Sequence, residues 1–180
     1  MQRFGRVIVE ATSFTISEPT TPIEIAPYLY ELCDDEKRNI LTQSYDVAPF
    51  MIETISLERI FIDKVFATEF YFERGEFTDV AKHVYDITVL LREKQILDFL
   101  SNKEKVQKII ELKRKEELNR REGVDAHREV VDFSYFKKLR ESREFKSKFV
   151  DMQKIYVLNE KDFLTTEEAL ASISALHSYL

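Results

Sequence analysis

At 180 residues and 21.4 kDa, with 44% apolar and 33% charged residues, the chain can bury a core of its own, which excludes the disordered class. One cysteine, Cys33, excludes an internal disulfide and a cysteine-based zinc site, and suits a reducing compartment. The net charge of −6 is uneven: residues 103–148 hold 15 Lys and Arg against 10 Asp and Glu, so a nucleic-acid face competes with the commoner solvated helical surface.

The chain opens on a run too short for a signal peptide, and nowhere do apolar residues approach the roughly 20 needed for a membrane span, so a cytoplasmic protein is expected. Residues 7–14 (VIVEATSF) read as a half-buried strand in which Glu10 presents a polar side chain. Residues 17–22 (SEPTTP) read as a proline-punctuated loop. Pro27 then suits the first turn of a short helix bearing Tyr28, Leu29 and Leu32. Residues 46–54 (DVAPFMIET) predict a second strand, with Pro49 arguing for an edge or a bulge.

All four prolines lie in the first fifty residues, leaving the rest free for long helices. Ser56 is a good N-cap, and Leu57, Ile60, Phe61, Thr68, Tyr71 and Phe72 fall on one stripe that ends before Gly75. A second helix is predicted over residues 78–93, antiparallel to the first because the connection is short. Residues 96–100 continue helically, residues 103–121 form a charged helix ended by Gly123, and residues 135–149 and 166–180 complete a helical tail. The expected class is α+β and predominantly helical: a small N-terminal β element over residues 1–55, followed by a helical bundle over residues 56–180.

Lys64 falls on the apolar stripe of its helix, where an ammonium needs a carboxylate, a route to solvent or an anionic ligand. Snorkelling or a structural ion pair is the plainer reading. Asp86 is its natural partner, on a helix with little room for a free charge, and His83 lies three residues earlier on nearly the same face. The functional reading joins Lys64 and Asp86 at a phosphate site, with the aspartate orienting the lysine. Glu10 either points to solvent or ligates a metal, but a lone carboxylate cannot clamp two magnesium ions. No D-x-D pair precedes Glu10, and no glycine-rich phosphate loop occurs.

In order, VIVEATSF, SEPTTPIEIAPYL, SLERIFIDKVFA and KHVYDITVLL resemble the AbiEii/AbiGii family of nucleotidyltransferase-like toxins over residues 7–92. The most specific parts are the loop of Glu18, Pro19, Thr20 and Pro22, the E-R-x-F-x-x-K helix and the H-x-Y-D helix. By that resemblance Glu10 matches the third active-site carboxylate of the DNA polymerase beta-like superfamily and is the metal ligand. Lys64 matches the lysine that contacts nucleotide phosphates, with His83 beside it, and Asp86 matches the accompanying aspartate. Glu58 and Arg59 match the start of that helix, and Asp63 stands where the family usually has glutamate. The family's first motif, a Gly-Ser turn and two aspartates, is expected upstream of Glu10, so the chain reads as a C-terminal part of such a protein.

For an intact member the resemblance implies magnesium-dependent transfer from a nucleoside triphosphate, with RNA as a candidate acceptor and a separate winged-helix antitoxin as partner. The chain alone is expected to bind neither cofactor. An N-terminal half supplied in trans would make the chain part of a split enzyme. Two other readings compete: a non-catalytic module that pairs with itself or with a partner chain, and an RNA-binding helical face built from Lys113, Arg114, Lys115, Arg120 and Arg121.

Overall fold

The computed structural model describes residues 19–180. Among these, residues 19–60 and 61–180 form two units, each compact by itself, with the boundary inside a helix. The strand expected over residues 7–14, and Glu10 with it, lies outside the described residues.

The first unit is built on an antiparallel ribbon of β1 (Thr20–Ile25) and β2 (Phe50–Ile55), registered from Thr20 opposite Ile55 to Ile25 opposite Phe50. The loop expected over residues 17–22 is thus a strand from Thr20 onward. Pro22 is tolerated because, among the described residues, each strand of this ribbon pairs along one edge alone, and a missing N–H on the other edge costs none of the β1–β2 ladder bonds. Alternation puts Thr21, Ile23, Ile25, Phe50, Ile52 and Thr54 on one face, and its four large apolar side chains are all exposed. Pro27 precedes α1 (Tyr28–Glu31) as expected. The following α2 (Asp35–Tyr45) is capped by Asp34, whose carboxylate accepts from Lys37 N–H at 3.0 Å, and it ends on Asp46 in the left-handed region at φ 55°. Neither helix buries a residue.

Ser56 Oγ accepts from Arg59 N–H at 3.3 Å and starts α3 (Leu57–Glu73), which Gly75 at φ 71° ends. The buried residues of α3 include Phe61, Ile62, Val65, Phe66, Thr68 and Glu69, a stripe rotated from the expected one. Ile62, Val65 and Phe66 make the helix apolar on more than one side, so periodicity alone did not fix its inward face.

In the second unit α4 (Phe77–Leu90) meets α3 through side chains, Tyr71 stacking on His83 at 5.3 Å and Phe72 meeting Phe77 edge-on at 5.8 Å. Its main backbone neighbours are instead α8 (Arg143–Tyr156) and α9 (Thr166–Tyr179). Asn102 separates α5 (Lys94–Ser101) from α6 (Lys103–Asn119) by accepting from Lys105 N–H. The single helix expected over residues 135–149 is broken: α7 (Ser134–Lys138) gives way to a 3-10 turn, and Ser142 recaps the chain into α8 by accepting from Phe145 N–H. Phe61, Phe66, Val84, Ile87, Phe133, Tyr135, Phe145, Phe149 and Leu176 are fully buried or nearly so. Gln153 ties the α8 to α9 connection down: its Nε2 donates to Phe149 O and Leu164 O, and its Oε1 accepts from Leu164 N–H at 2.6 Å.

Candidate phosphate-side site

Lys64 stands at the margin of the buried stripe of α3, with 28% of its side chain exposed, so its ammonium reaches water without leaving the core edge. Its Nζ lies 2.7 Å from Asp86 Oδ2 on α4, whose side chain is 18% exposed. One ammonium hydrogen is engaged there, leaving others for an anion. The Tyr156 hydroxyl, on the last residue of α8, donates to both Asp86 oxygens at 3.3 and 3.4 Å, long and therefore weak bonds. Burial and then the Asp86 carboxylate push the Tyr156 phenol above its ordinary value, so it stays protonated and able to donate. The Tyr85 ring meets Tyr156 edge-on at 6.2 Å, and Tyr85 Oη donates to Asp162 O at 3.0 Å. Sequence reasoning missed Tyr156, which is 70 residues from Asp86 and carries no local signal.

His83 and Asp86 form no hydrogen bond, contrary to an i, i+3 pair. The His83 ring stacks on Tyr71, and its buried Nδ1 finds no partner among the described residues. Burial, then the charge of Lys64, holds its pKa at about 4, so the imidazole is neutral at neutral pH. Toward a nucleotide it can offer a stacking surface or a neutral hydrogen bond, not a positive charge.

The basic cluster proposed for RNA does not form a free face. Lys113 is buried, with its Nζ 3.3 Å from Asp63, 3.2 Å from Glu116 and 3.0 Å from Glu117. Burial opposes its charge, but these carboxylates outweigh burial and hold the pKa above the ordinary lysine value. Burial likewise acts to raise the Glu117 carboxyl, yet the Lys113 ammonium leaves it below its ordinary value. Arg114 pairs with Glu129 at 2.8 Å, and Arg120 pairs with Glu117 at 3.1 Å and lies over the Phe70 ring. Of the five, only Lys115 and Arg121 are exposed. A second buried charge, Glu69, accepts from Arg128, from Ser134 N–H at 2.7 Å and from Tyr135 N–H at 3.1 Å, so it anchors the start of α7.

Lys64 offers a partly exposed cation to an anion, but the described residues do not by themselves make a magnesium centre: Asp86 is engaged by Lys64 and Tyr156, and among the described residues no group of three or more His, Cys, Asp or Glu is arranged to hold a metal. Among them no helix is long and apolar enough to cross a membrane. No curated protein and no solved structure matches the chain. One family model does, over residues 2–171, that of the nucleotidyl transferase AbiEii toxins of type IV toxin–antitoxin systems. That match runs through both the helix of Lys64 and the helix of Asp86, and with it the chain belongs to the AbiEii nucleotidyl transferase toxin family.

Proposed function

We propose that the chain supplies the phosphate side of nucleotide transfer in an AbiEii toxin, with Lys64 receiving the triphosphate and Asp86 orienting it. The supporting observation is the pair itself, a lysine at the core edge with 28% of its side chain exposed and its ammonium held by a carboxylate. Phosphoryl transfer asks a protein mainly to position and to neutralise charge, and Lys64 can do both. His83 would stack or accept near the nucleotide, and Glu10, from its family position alone, would give a carboxylate to magnesium, which supplies further charge neutralisation when bound. In this reading residues 1–55 belong to the β core of the nucleotidyltransferase and residues 56–180 form a helical domain. RNA is the acceptor, a separate antitoxin is the protein partner, and the reaction takes place in the cytoplasm. Equilibrium binding of inorganic tripolyphosphate, a metal-free probe of the lysine alone, tests the phosphate role: Lys64→Met should weaken binding at least about tenfold, the worth of one charge-assisted contact. Equal affinity in the variant would reject the phosphate role.

A second reading, a non-catalytic interaction module that pairs with itself or with a partner chain, draws on the ribbon. Ile23, Ile25, Phe50 and Ile52 are 46%, 39%, 53% and 42% exposed on one face, where two strands alone make no stable sheet. Light scattering separates the readings, since a mass near 21.4 kDa that persists on concentration is a monomer.

A further inference from the structure

We infer that Tyr156 is a positioning residue for Lys64, acting through Asp86, so that the end of α8 is part of the phosphate-side site. The inference rests on the phosphate reading for what Lys64 does, but not for how Lys64 is held. The Asp86 carboxylate sits between two donors from different helices, the Lys64 ammonium of α3 and the Tyr156 hydroxyl of α8. A carboxylate turns easily about its terminal torsion, which is broad and two-fold, so a lone ion pair would leave Asp86 free to exchange oxygens and let Lys64 swing to solvent. A second donor that reaches both oxygens resists that rotation.

Tyr156 is itself braced. Its ring lies edge-on against Tyr85, one residue before Asp86, and Tyr85 is fastened by its hydroxyl to the backbone of Asp162 beyond α8. Both ends of the segment that leaves α8 therefore converge on the turn of α4 that carries Asp86. The hydroxyl has no other hydrogen-bond partner among the described residues, which leaves Asp86 as its task.

Competitive acetylation of lysines in the ligand-free full chain, read site by site by mass spectrometry, tests this. Asp86 shields Lys64 Nζ from the reagent, so Asp86→Asn should raise Lys64 labelling. Tyr156→Phe, which removes one oxygen and keeps the ring, should raise it about threefold, as expected for a weak hydrogen bond to a charged group. Exposed Lys103 should be unchanged, and adding Tyr156→Phe to Asp86→Asn should raise Lys64 no further. A role in folding alone would lower the melting temperature without singling out Lys64. The inference is overturned if Tyr156→Phe leaves Lys64 labelling at the wild-type rate, if Asp86→Asn does so, or if the two changes add. Protection of wild-type Lys64 by inorganic tripolyphosphate bears on the phosphate reading separately. Loss of that protection alone, with the Tyr156 effect intact, rejects the ligand and upholds the positioning.

Discussion

Glu69→Gln should be among the most damaging isosteric changes in the chain. The wild-type side chain is fully buried and its two oxygens serve three donors, the Arg128 guanidinium and the N–H groups of Ser134 and Tyr135. Glutamine keeps the shape but turns one acceptor into a donor, which must then face at least one of those three. Losing a charge-assisted bond costs about 1.5 to 3 kcal/mol and stranding a buried donor costs about 1 to 3 more. The sum, about 2.5 to 6 kcal/mol, brackets the usual cost of breaking a buried ionic network and is a large share of a domain's roughly 5 to 15. With a urea slope of about 2 kcal/mol/M the midpoint should fall by about 1 to 3 M. Urea titration followed by far-ultraviolet circular dichroism measures it, with Glu73→Gln as control. Glu73 also pairs with Arg128, at 2.9 Å, but is 39% exposed, so its loss should cost under about 1 kcal/mol. A Glu69→Gln midpoint indistinguishable from wild type would show that the anchor of α7 is not where the argument puts it.

Lys113→Met should cost about 3 kcal/mol at neutral pH by removing the buried ammonium that Glu116 and Glu117 share. It should also flatten the pH profile: Glu117 lies below 4.5 in the folded state, so its contribution holds above that value and is lost as pH falls through the lowered one, whereas Lys113 lies above 10.5 and loses its contribution only as pH rises through the raised value. Melting curves from acid to alkali read both limbs, and a variant with the wild-type profile would refute the pairing. Gly123→Ala should lower stability by about 1 to 3 kcal/mol in chemical denaturation, because overpacking has no cheap relief here. The added Cβ would sit 2.6 Å from Glu117 Oε2 and 2.9 Å from Glu117 O, and that carboxylate is already bonded to Val124 N–H; an unchanged midpoint would reject the clash. Asp46→Gly should raise stability by up to about 1 kcal/mol, since its left-handed backbone strains a side chain, and no gain in the same titration would argue against strain.

Features set by a few adjacent residues were legible in the sequence. Ser56 as a cap, Gly75 as a stop and Pro27 ahead of a short helix all depend on contacts within one turn, and they stand in the structure where the residues place them. Lys64 and Asp86 were legible too, because Lys64 falls on the apolar stripe of its helix, Asp86 has Tyr85 and Ile87 as its neighbours in the chain, and the two helices are joined by a short link. α2 was not, since it buries nothing and therefore carries no periodic apolar face to read. Nor was Pro22 in a strand, because proline signals a loop unless the edge along which its strand pairs is known. Glu69 and Lys113 looked like ordinary helix charges. Their partners include residues 50 to 66 positions away, and burial of a charge cannot be inferred until such a partner is placed. Tyr156 joins the Lys64 pair for the same long-range reason.

The amide of Gln153 gives the C-terminal helix a property that its covalent attachment hides. By clasping both the N–H and the C=O of Leu164, it fixes the entry to α9 independently of the turn before it, while Leu158 in that turn is 99% exposed. α9 is further held by packing on α4, α7 and α8. Continuity of the main chain at Leu158 is therefore dispensable for the fold once formed. Protease should nick the exposed turn readily, yet residues 159–180 should remain seated and leave with the rest of the protein on a sizing column, separating only when denaturant opens the clasp. The turn is thus a place where foreign sequence can be inserted, or the chain given new ends, without disturbing the helices on either side.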